Sequence, residues 1–353
     1  MGGLERQILE ISKMLSNKDY KVYIITLDQS DFKPFFDLQD TNLSAININI
    51  GNPDIPGTLT VKLKRQIRIV SALRKIKPDV GIAFMYGGFL MSRLGMFLIN
   101  RPLILAERNS PAMYDLTKIA RFRKLLFLTM FFTTKITVQF DSYIAKYPWY
   151  LRRKIVAIPN TIVDCGIFEK KENNKVRYVF AGRFSFQKQI IRLVDAFRIF
   201  HDNFPESTLA IYGEGEQKNL IEEKILEYKM CDYATLFGPS SLEEIFTNTD
   251  VICVPSKWEG FPNILAETLK AGIPAIGFSN CDGVGNLIQD ERNGWTEEDD
   301  NSTAVIVRLL ERSYRGVKMK TIGSSKIRES MEIYSTEEIA TKWHSLLKFT
   351  NRS

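Results

Sequence analysis

The sequence predicts an α/β protein with two doubly wound, Rossmann-like domains that face a cleft. Apolar strands alternate with amphipathic helices twice along the chain, which is typical of parallel sheets. The 353 residues are also too many for one ordinary core. Pro159 and Asn160 interrupt the first series, and the polar stretch 169–175 precedes the second. We therefore expect an N-terminal domain over 1–164, a C-terminal domain over 165–332, and a final helix over 333–353 that packs back on the first domain.

Each predicted element has its own pattern in the sequence. In the first half, apolar spacing predicts a helix over 4–15, and strands and helices then follow at 21–27 (strand), 61–76 (helix), 79–85 (strand), 102–109 (strand), 121–132 (helix), 135–140 (strand) and 154–164 (strand). In the second half the predicted strands are 176–182, 207–215, 234–238, 250–256 and 274–278, and the helices are 188–203, 217–229, 241–249, 264–271 and 335–349.

The N-terminal domain opens on a loop rather than on a strand. In a doubly wound domain the first strand is central and the loop after it carries the glycines. Here Gly2 and Gly3 follow Met1, and the first helix begins at once. The sequence therefore predicts that this domain lacks its first strand. We expect roughly a dozen native residues upstream to supply it.

Composition and charge narrow the class of protein. The chain has two histidines and four scattered cysteines, which disfavours a zinc site. The longest uncharged apolar run, residues 80–92, is too short to span a membrane. Residues 1–165 carry 24 Lys and Arg against 13 Asp and Glu, a net charge of +11, whereas the remainder carries −4.

A basic half indicates an anionic partner or, alternatively, a merely solvated surface. Because no aromatic and basic motif of a nucleic-acid module occurs, an anionic membrane surface is favoured over nucleic acid. We expect a cytoplasmic protein, peripherally bound to the inner face of the cell membrane.

Several charged residues and glycines follow strands of the second half, where ligands bind in such sheets. Gly182 and Arg183 end one strand, Lys188 enters the next helix, and Gly213 and Gly215 end another strand. Each of these alone is compatible with an ordinary turn or surface ion pair. Together they indicate a binding site for an anion.

Two glutamates bracket a turn at the start of a helix. Glu259 lies in a loop and Glu267 on the helix, on either side of the turn at 262–265. Backbone N–H groups at a helix N-terminus bind phosphate, and Arg183 and Lys188 would add two cations. Carboxylates repel phosphate but accept hydrogen bonds from hydroxyls. The spacing therefore predicts a nucleotide diphosphate, with one glutamate on a ribose diol and the other on a sugar.

These segments resemble glycosyltransferase family 4, which has the GT-B fold. The resemblance rests on "GRFSFQK", "GEGEQK", "LFG" and "DVICVPSKWEGFPNILAETLKAGIPAI". It extends over nearly the whole chain and is strongest over 155–295. The most specific mark is the Glu-x7-Glu element formed by Glu259 and Glu267.

The resemblance implies roles for individual residues. Arg183 and Lys188 contact the donor diphosphate, and Glu259 binds the transferred sugar; these three are the candidate catalytic residues. Glu267 binds the ribose. The remaining candidate donor-site residues are Gly182, Gly213, Gly215, Phe261, Pro262 and Asn263. No metal and no cofactor are expected.

The sequence departs from the family pattern at two places. Gln189 follows the loop lysine where the family usually has glycine, and neither His201 nor His344 lies in the N-terminal domain, where some members use a histidine.

An N-terminal segment points to the acceptor. The stretch "AERNSP" is similar to a segment of family members that transfer N-acetylhexosamines, notably N-acetylgalactosamine, to lipid-linked glycans. The resemblance places Glu107, Arg108 and Asn109 on the acceptor side, with Gly2 and Gly3. A structural ion pair between Glu107 and Arg108 is the alternative.

We therefore expect a retaining transferase. It would move a hexose or N-acetylhexosamine from a UDP-sugar to a polyprenyl-diphosphate-linked or polysaccharide acceptor, in O-antigen or capsule-type synthesis. Two alternatives remain. One is a sugar-nucleotide epimerase of the same fold, against which the shortage of histidines argues. The other is a non-catalytic nucleotide-sugar-binding regulatory subunit.

Overall fold

The computed structural model describes residues 3–27, 42–50, 57–162, 166, 168 and 173–351. The chain divides into two compact units. Unit 1 comprises Met1–Thr161 together with Thr336–Ser353, and unit 2 comprises Ile162–Ser335. Every described strand pair in both units is parallel. The predicted α/β class with two parallel-sheet domains is therefore confirmed.

Unit 1 follows the predicted alternation of strands and helices. Its strands are β1 (Val22–Thr26), β2 (Leu43–Asn47), β3 (Gly81–Phe84), β4 (Leu103–Ala106), β5 (Lys135–Val138) and β6 (Ile155–Ala157). Its first helices are α1 (Gly3–Ser16), α2 (Leu59–Ile76), α3 (Met85–Leu98), α4 (Met113–Leu116), α5 (Arg123–Met130) and α6 (Trp149–Arg152), and a 3-10 turn, Lys118–Phe122, leads into α5.

The described strands of unit 1 form two sheets. One pairs β1 with β2, and the other has the order β3-β4-β5-β6. Among the described residues, the edge of β1 that faces away from β2 has no strand partner, and neither does the edge of β3 that faces away from β4. No strand precedes α1 from Gly3 onward. The prediction that upstream residues supply a first strand stays a prediction.

Helices cover both faces of the four-stranded sheet. The strands run in sequence order, so right-handed crossovers place α3 and α5 on the same face. A core cluster joins residues of α1 to Ile104 and Ala106 of β4 and to Trp343, which is completely buried. Trp343 belongs to the last helix of the chain, which returns to unit 1.

Unit 2 holds the remaining elements. Its strands are β7 (Val176–Ala181), β8 (Ser207–Tyr212), β9 (Ala234–Phe237), β10 (Val251–Val254), β11 (Ala275–Phe278) and β12 (Gly294–Glu297). Its helices are α7 (Ile190–Asn203), α8 (Lys218–Glu227), α9 (Leu242–Thr247), α10 (Asn263–Lys270), α11 (Asp282–Leu287), α12 (Thr303–Lys318) and α13 (Ser324–Glu329). The last helix, α14 (Thr336–Asn351), belongs to unit 1.

The sheet of unit 2 has the order β12-β11-β10-β7-β8-β9. The chain winds outward from β7 through β8 to β9 and then crosses to β10 on the other side of β7. The strand order therefore reverses between β7 and β10, and ligands in open α/β sheets bind at such a point. β7, β10 and β11 are buried along their whole length, which explains their nearly continuous apolar sequence.

Some elements escaped the sequence patterns. The unpredicted elements are β2, β12, α4, α6, α11, α12 and α13. Most of them have six residues or fewer, too few for a clear period. Helix α12 is the exception, because its 16 residues follow the polar stretch 298–302 and bury Val305, Ile306, Leu309 and Leu310 at helical spacing. The polar linker predicted at 169–175 lies partly outside the described residues. Gly2 and Cys165 lie outside them. No described helix has the length and apolar character that would let it span a membrane.

Candidate active site

The loops after β7 and β10 are bonded to each other where the strand order reverses. The side-chain amide of Gln187 donates to the carbonyl oxygen of Trp258 at 2.6 Å. In return, the backbone N–H of Lys257 donates to the carbonyl oxygen of Gln187 at 2.9 Å. The two loops are therefore held as one surface at the carboxyl edge of the sheet.

Two of the predicted catalytic residues contact each other on this surface. The Lys188 Nζ lies 2.5 Å from the Glu259 Oε1. Their side chains are 19% and 8% exposed, so the pair is largely withdrawn from water. The sequence predicted both residues for the site but assigned them to different parts of the ligand. The structure shows that the Lys188 ammonium already has a carboxylate partner.

Gln189 explains why glycine is usual after this lysine. Its φ of 53° and ψ of 35° lie in the left-handed region, which glycine adopts without steric cost. The Gln189 side-chain amide donates to the carbonyl oxygen of Phe186 at 2.8 Å. This bond offsets part of the cost of a side chain at that position.

Arg183 provides a second cation at the end of β7. It follows Gly182 and is exposed. Among the described residues, no hydrogen bond or ion pair involves its guanidinium. Its charge is therefore available to an anion, in contrast to that of Lys188.

The glycines at the ends of β7 and β8 permit a close approach of two backbones. A Cβ at Gly213 would collide with the carbonyl oxygen of Gly182, and the φ of Gly213 is 140°. A Cβ at Gly215 would lie 2.7 Å from the backbone nitrogen of Phe184. The N–H of Phe184 donates to the carbonyl oxygen of Glu214 at 2.8 Å. These glycines are therefore required by packing between the loops.

The start of α10 differs in one detail from the prediction. Pro262 is the N-cap and has no N–H, so the backbone donors of the turn are those of residues 263–265 rather than 262–265. Pro262 provides no side-chain cap. The Phe261 ring is buried and packs edge-on against Tyr334, with 5.6 Å between ring centroids. Burial raises the pKa of Tyr334 to about 12.

Both glutamates of the Glu-x7-Glu element are buried. The exposed fractions of Glu259 and Glu267 are 6% and 3%. A buried carboxylate is costly without partners, which argues against an ordinary solvated surface role for either residue. Cys281 lies close to Glu259. Burial, and secondarily the charge of Glu259, raise the pKa of the Cys281 thiol well above its usual range.

The predicted acceptor-side residues lie at the end of β4, in unit 1. Glu107 is buried, and its carboxylate accepts hydrogen bonds from the Tyr114 hydroxyl at 2.6 Å and from the Arg108 N–H at 3.1 Å. The Asn109 N–H also donates to it, at 3.3 Å. Burial raises the pKa of Glu107, while these hydrogen bonds act in the opposite direction. Of the three predicted residues, only Asn109 is more than slightly exposed.

Arg108 connects several elements of unit 1. Its guanidinium donates to the carbonyl oxygen of Ile158 at 3.0 Å and to the Thr137 hydroxyl at 3.3 Å. It also lies over the rings of Phe84 and Trp343, at 5.6 and 5.5 Å from their centroids. Burial lowers the pKa of Arg108 to about 10. These contacts describe a structural role, and a contact with the acceptor stays a prediction. Gly3 begins α1 and is exposed.

Sequence reasoning missed residues whose role depends on contacts between distant segments. Gln187 and Tyr114 are examples, and Gln139 is a third because its side-chain amide donates to the Asn160 Oδ1 at 3.0 Å. Gln187 lies in the segment "GRFSFQK", but nothing in that segment indicated its bond to Trp258. Tyr114 lies three residues after "AERNSP", and no motif marked it or Gln139.

Comparison with known proteins identifies the class. Residues 167–316 match the family described as "Glycosyl transferases group 1". The chain is 30% identical over 213 residues to the UDP-N-acetylglucosamine–peptide N-acetylglucosaminyltransferase GtfA subunit of Streptococcus pneumoniae. That match covers 58% of this chain and 41% of GtfA, so the chain spans about two fifths of that relative.

Two further relatives match over most of their length. The amylovoran biosynthesis glycosyltransferase AmsD of Erwinia amylovora is 24% identical, and the match covers 98% of this chain and 96% of AmsD. An α-1,4-N-acetyl-D-galactosaminyltransferase of Campylobacter jejuni, whose name gives an undecaprenol-linked glycan, is 23% identical, with 87% and 84% covered.

Solved structures share the fold. The sucrose-phosphate synthase of Thermosynechococcus elongatus superposes with a TM-score of 0.83 at 16% identity, covering 98% of this chain and 93% of that one. Anabaena HepE, solved with UDP and glucose, gives 0.78 at 13% identity, covering 98% and 96%.

The chain has the GT-B fold of these solved structures. Residues 167–316 match the group 1 glycosyl transferase family, so this part of the chain is similar to that family. The predicted family resemblance is thereby confirmed, including its likeness to bacterial transferases of lipid-linked glycans.

Proposed function

We propose that this protein is a retaining glycosyltransferase that uses a UDP-sugar donor. It transfers a hexose or N-acetylhexosamine to a polyprenyl-diphosphate-linked or polysaccharide acceptor during synthesis of a cell-surface glycan. The observation that carries the proposal is the Lys188–Glu259 pair beside the N-terminus of α10, where the strand order of the group 1 domain reverses.

The site offers three kinds of stabilisation to a leaving diphosphate. Arg183 is an exposed cation without a partner among the described residues. Lys188 has three N–H donors, and its bond to Glu259 uses one of them. The first-turn N–H groups of α10 complete the set. Charge that develops on the diphosphate is therefore met by fixed donors, and the proposed reaction requires neither metal nor cofactor.

The proposed bond changes are balanced. The bond between the anomeric carbon and the diphosphate oxygen breaks, and the acceptor hydroxyl oxygen attacks from the same face. A diphosphate oxygen takes the proton of that hydroxyl. The products are UDP and a glycoside with the donor's anomeric configuration. Glu259 hydrogen-bonds the sugar hydroxyls and keeps Lys188 in place, while Glu267 holds the ribose.

The names of similar proteins support the choice of donor and acceptor. GtfA is named for UDP-N-acetylglucosamine, and HepE was solved with UDP and glucose. The Campylobacter relative is named for a diphosphate-undecaprenol glycan and for N-acetylgalactosamine. We therefore propose UDP-N-acetylhexosamines as first donors to test. The +11 charge of residues 1–165 supports an anionic membrane, at its cytoplasmic face, as the place where the acceptor is met.

The decisive experiment measures UDP release from a panel of UDP-sugars, with and without a polyprenyl-diphosphate-linked glycan. We expect release that depends on the acceptor, and a product whose anomeric proton coupling in NMR shows retention. An inverted product refutes the proposed mechanism. Binding without UDP release supports the regulatory subunit instead, and a changed sugar on an intact donor supports the epimerase.

Arg183→Ala tests the role of the site residues. Loss of one donor to developing charge lowers kcat by about a hundredfold or more. Folding should be unchanged because Arg183 is exposed. Lys218→Ala is the matched control, since the Lys218 side chain is 41% exposed and pairs, among the described residues, with Glu214 four positions earlier. Equal activity of the two variants rules out the proposed role of Arg183.

A further inference from the structure

Helix α3 is apolar on both of its faces. Its inward side contributes the buried residues Phe89 and Met96 to the core. Its outward side carries an apolar stripe of the exposed residues Leu90, Leu94, Phe97 and Leu98. Phe97 is 78% exposed. An apolar stripe that stays exposed on a helix that also contributes to the core is a candidate contact surface.

Helix α5 repeats this arrangement. Phe127 and Met130 point into the core. The outward side, with the residues just before and after the helix, exposes Phe122, Leu125, Leu128, Phe131 and Phe132. The spacing of Leu125, Leu128 and Phe132 is that of one helical face.

The two stripes belong to one surface. α3 and α5 cover the same side of the four-stranded sheet. The Tyr86 hydroxyl and the Thr129 hydroxyl are 2.7 Å apart, and the Arg93 guanidinium lies over the Phe132 ring at 4.4 Å from its centroid. Both contacts join α3 to α5 or to the residues that follow it.

The surface extends to helix α6. The Phe131 and Tyr150 ring centroids are 6.4 Å apart, and those of Trp149 and Tyr150 are 6.0 Å apart. Trp149 is 79% exposed. We call this continuous surface the apolar face; it comprises Leu90, Leu94, Phe97, Leu98, Phe122, Leu125, Leu128, Phe131, Phe132 and Trp149. Soluble proteins rarely leave so many neighbouring large apolar side chains in water.

The charge around the apolar face is predominantly positive. Residues 85–154 contain twelve Lys and Arg against three Asp and Glu, a net charge of +9. One of the three acids, Glu107, is buried, and another, Asp115, is paired with Arg123. Exposed cations next to the apolar residues include Arg121, Lys124 and Arg153. A protein partner would meet repulsion unless it were strongly acidic, whereas an anionic bilayer meets both the apolar and the cationic side chains.

We propose that the apolar face inserts into an anionic lipid bilayer, with Trp149 at the boundary between headgroups and acyl chains and the cations on the headgroups. This surface is independent of the donor site. The link to the proposed function is that this side of unit 1 would meet the membrane that carries the acceptor. The vesicle experiment contains no sugar donor, so its failure and that of the transferase assay are distinguishable.

The test uses the full-length protein and vesicles of phosphatidylcholine, with and without phosphatidylglycerol. The wild-type protein binds the anionic vesicles, and part of the binding persists when salt is raised from about 0.1 M to about 1 M, because only the electrostatic part is screened. Phe97→Gln combined with Leu125→Gln lowers the partition coefficient by about tenfold or more at high salt. Arg121→Gln combined with Lys124→Gln lowers it mainly at low salt.

Matched controls come from unit 2. Leu226 on α8 and Met319 just after α12 are exposed to a similar extent, 66% and 67%. Leu226→Gln combined with Met319→Gln leaves vesicle binding unchanged. All four positions are exposed, so far-ultraviolet circular dichroism should show the same melting curve for each double variant.

Trp149 supplies a direct readout. Its fluorescence shifts to shorter wavelength on anionic vesicles and is quenched by lipids brominated in the acyl chains, and Trp149→Phe removes this quenching. The proposal is overturned if Phe97→Gln with Leu125→Gln binds as tightly as wild type at high salt, or if quenching persists in Trp149→Phe. It is equally overturned if the lipid-free protein forms a dimer that this double variant dissociates, since the apolar face would then be a protein interface.

Discussion

The Lys188–Glu259 pair allows a quantitative test of how the site is held together. We consider Lys188→Met, Glu259→Gln and the double variant. Each single change removes one charge of a pair whose atoms lie 2.5 Å apart. The carboxylate is only 8% exposed, whereas the lysine side chain is 19% exposed and reaches water more easily.

The two single variants should therefore differ in stability. Lys188→Met removes the cation that faces the buried Glu259 carboxylate and should lower the free energy of unfolding of unit 2 by about 3 kcal/mol. Glu259→Gln leaves an ammonium that retains an amide oxygen acceptor and some water, so the loss should be about 1–2 kcal/mol. In the double variant neither charge of the pair remains. Its loss should be close to that of Glu259→Gln alone, which corresponds to a coupling energy of about 3 kcal/mol.

Urea unfolding, followed by tryptophan fluorescence and circular dichroism, measures these values. The two units can unfold separately, so each transition is fitted on its own. The Lys218–Glu214 pair is the control, because its side chains are 41% and 52% exposed at a distance of 3.3 Å. The same cycle on that pair should give a coupling of at most about 0.5 kcal/mol. If the single losses at Lys188 and Glu259 instead add within about 0.5 kcal/mol, the pair does not stabilise the site and our reasoning is wrong.

Three further predictions concern the backbone and pH. Gly213→Ala should abolish UDP binding in calorimetry and destabilise unit 2 by more than about 2 kcal/mol, because its Cβ would collide with the Gly182 carbonyl oxygen; a normal melting curve would contradict this. Gln189→Val should lower the free energy of unfolding by about 1–2 kcal/mol, because a β-branched residue tolerates the left-handed backbone poorly. Gln189→Gly should change that free energy by less than about 1 kcal/mol. Equal losses in the two variants would show that the left-handed conformation is not required. Burial raises the pKa of Glu107 in the folded state, so the folded unit 1 binds more protons than the unfolded chain. Unit 1 should therefore lose stability as the pH rises above 4.5, the ordinary pKa of this carboxyl group. Glu107→Gln should flatten that decline in urea titrations at several pH values, and an unchanged slope would exclude Glu107 as its cause.

The sequence determined the fold class because its signals are local. Period and composition identify a buried parallel strand such as β10 and an amphipathic helix such as α7 without knowledge of their neighbours. The order of turn glycines, cations and the Glu-x7-Glu element likewise placed the candidate site at the carboxyl ends of β7, β8 and β10. Elements whose stability comes from their neighbours, such as β2 and β12, left no comparable trace.

Only the tertiary structure decided which of the predicted side chains contact each other. Lys188 and Glu259 are 71 residues apart, and nothing in either segment indicates that they pair. Glu107 and Arg108 carry opposite charges on adjacent residues, yet they have separate partners: Tyr114 for the carboxylate, and Ile158 and Thr137 for the guanidinium. The sequence determines which residues follow a strand. Ion pairing and burial depend on how distant segments pack, and that is a property of the folded chain.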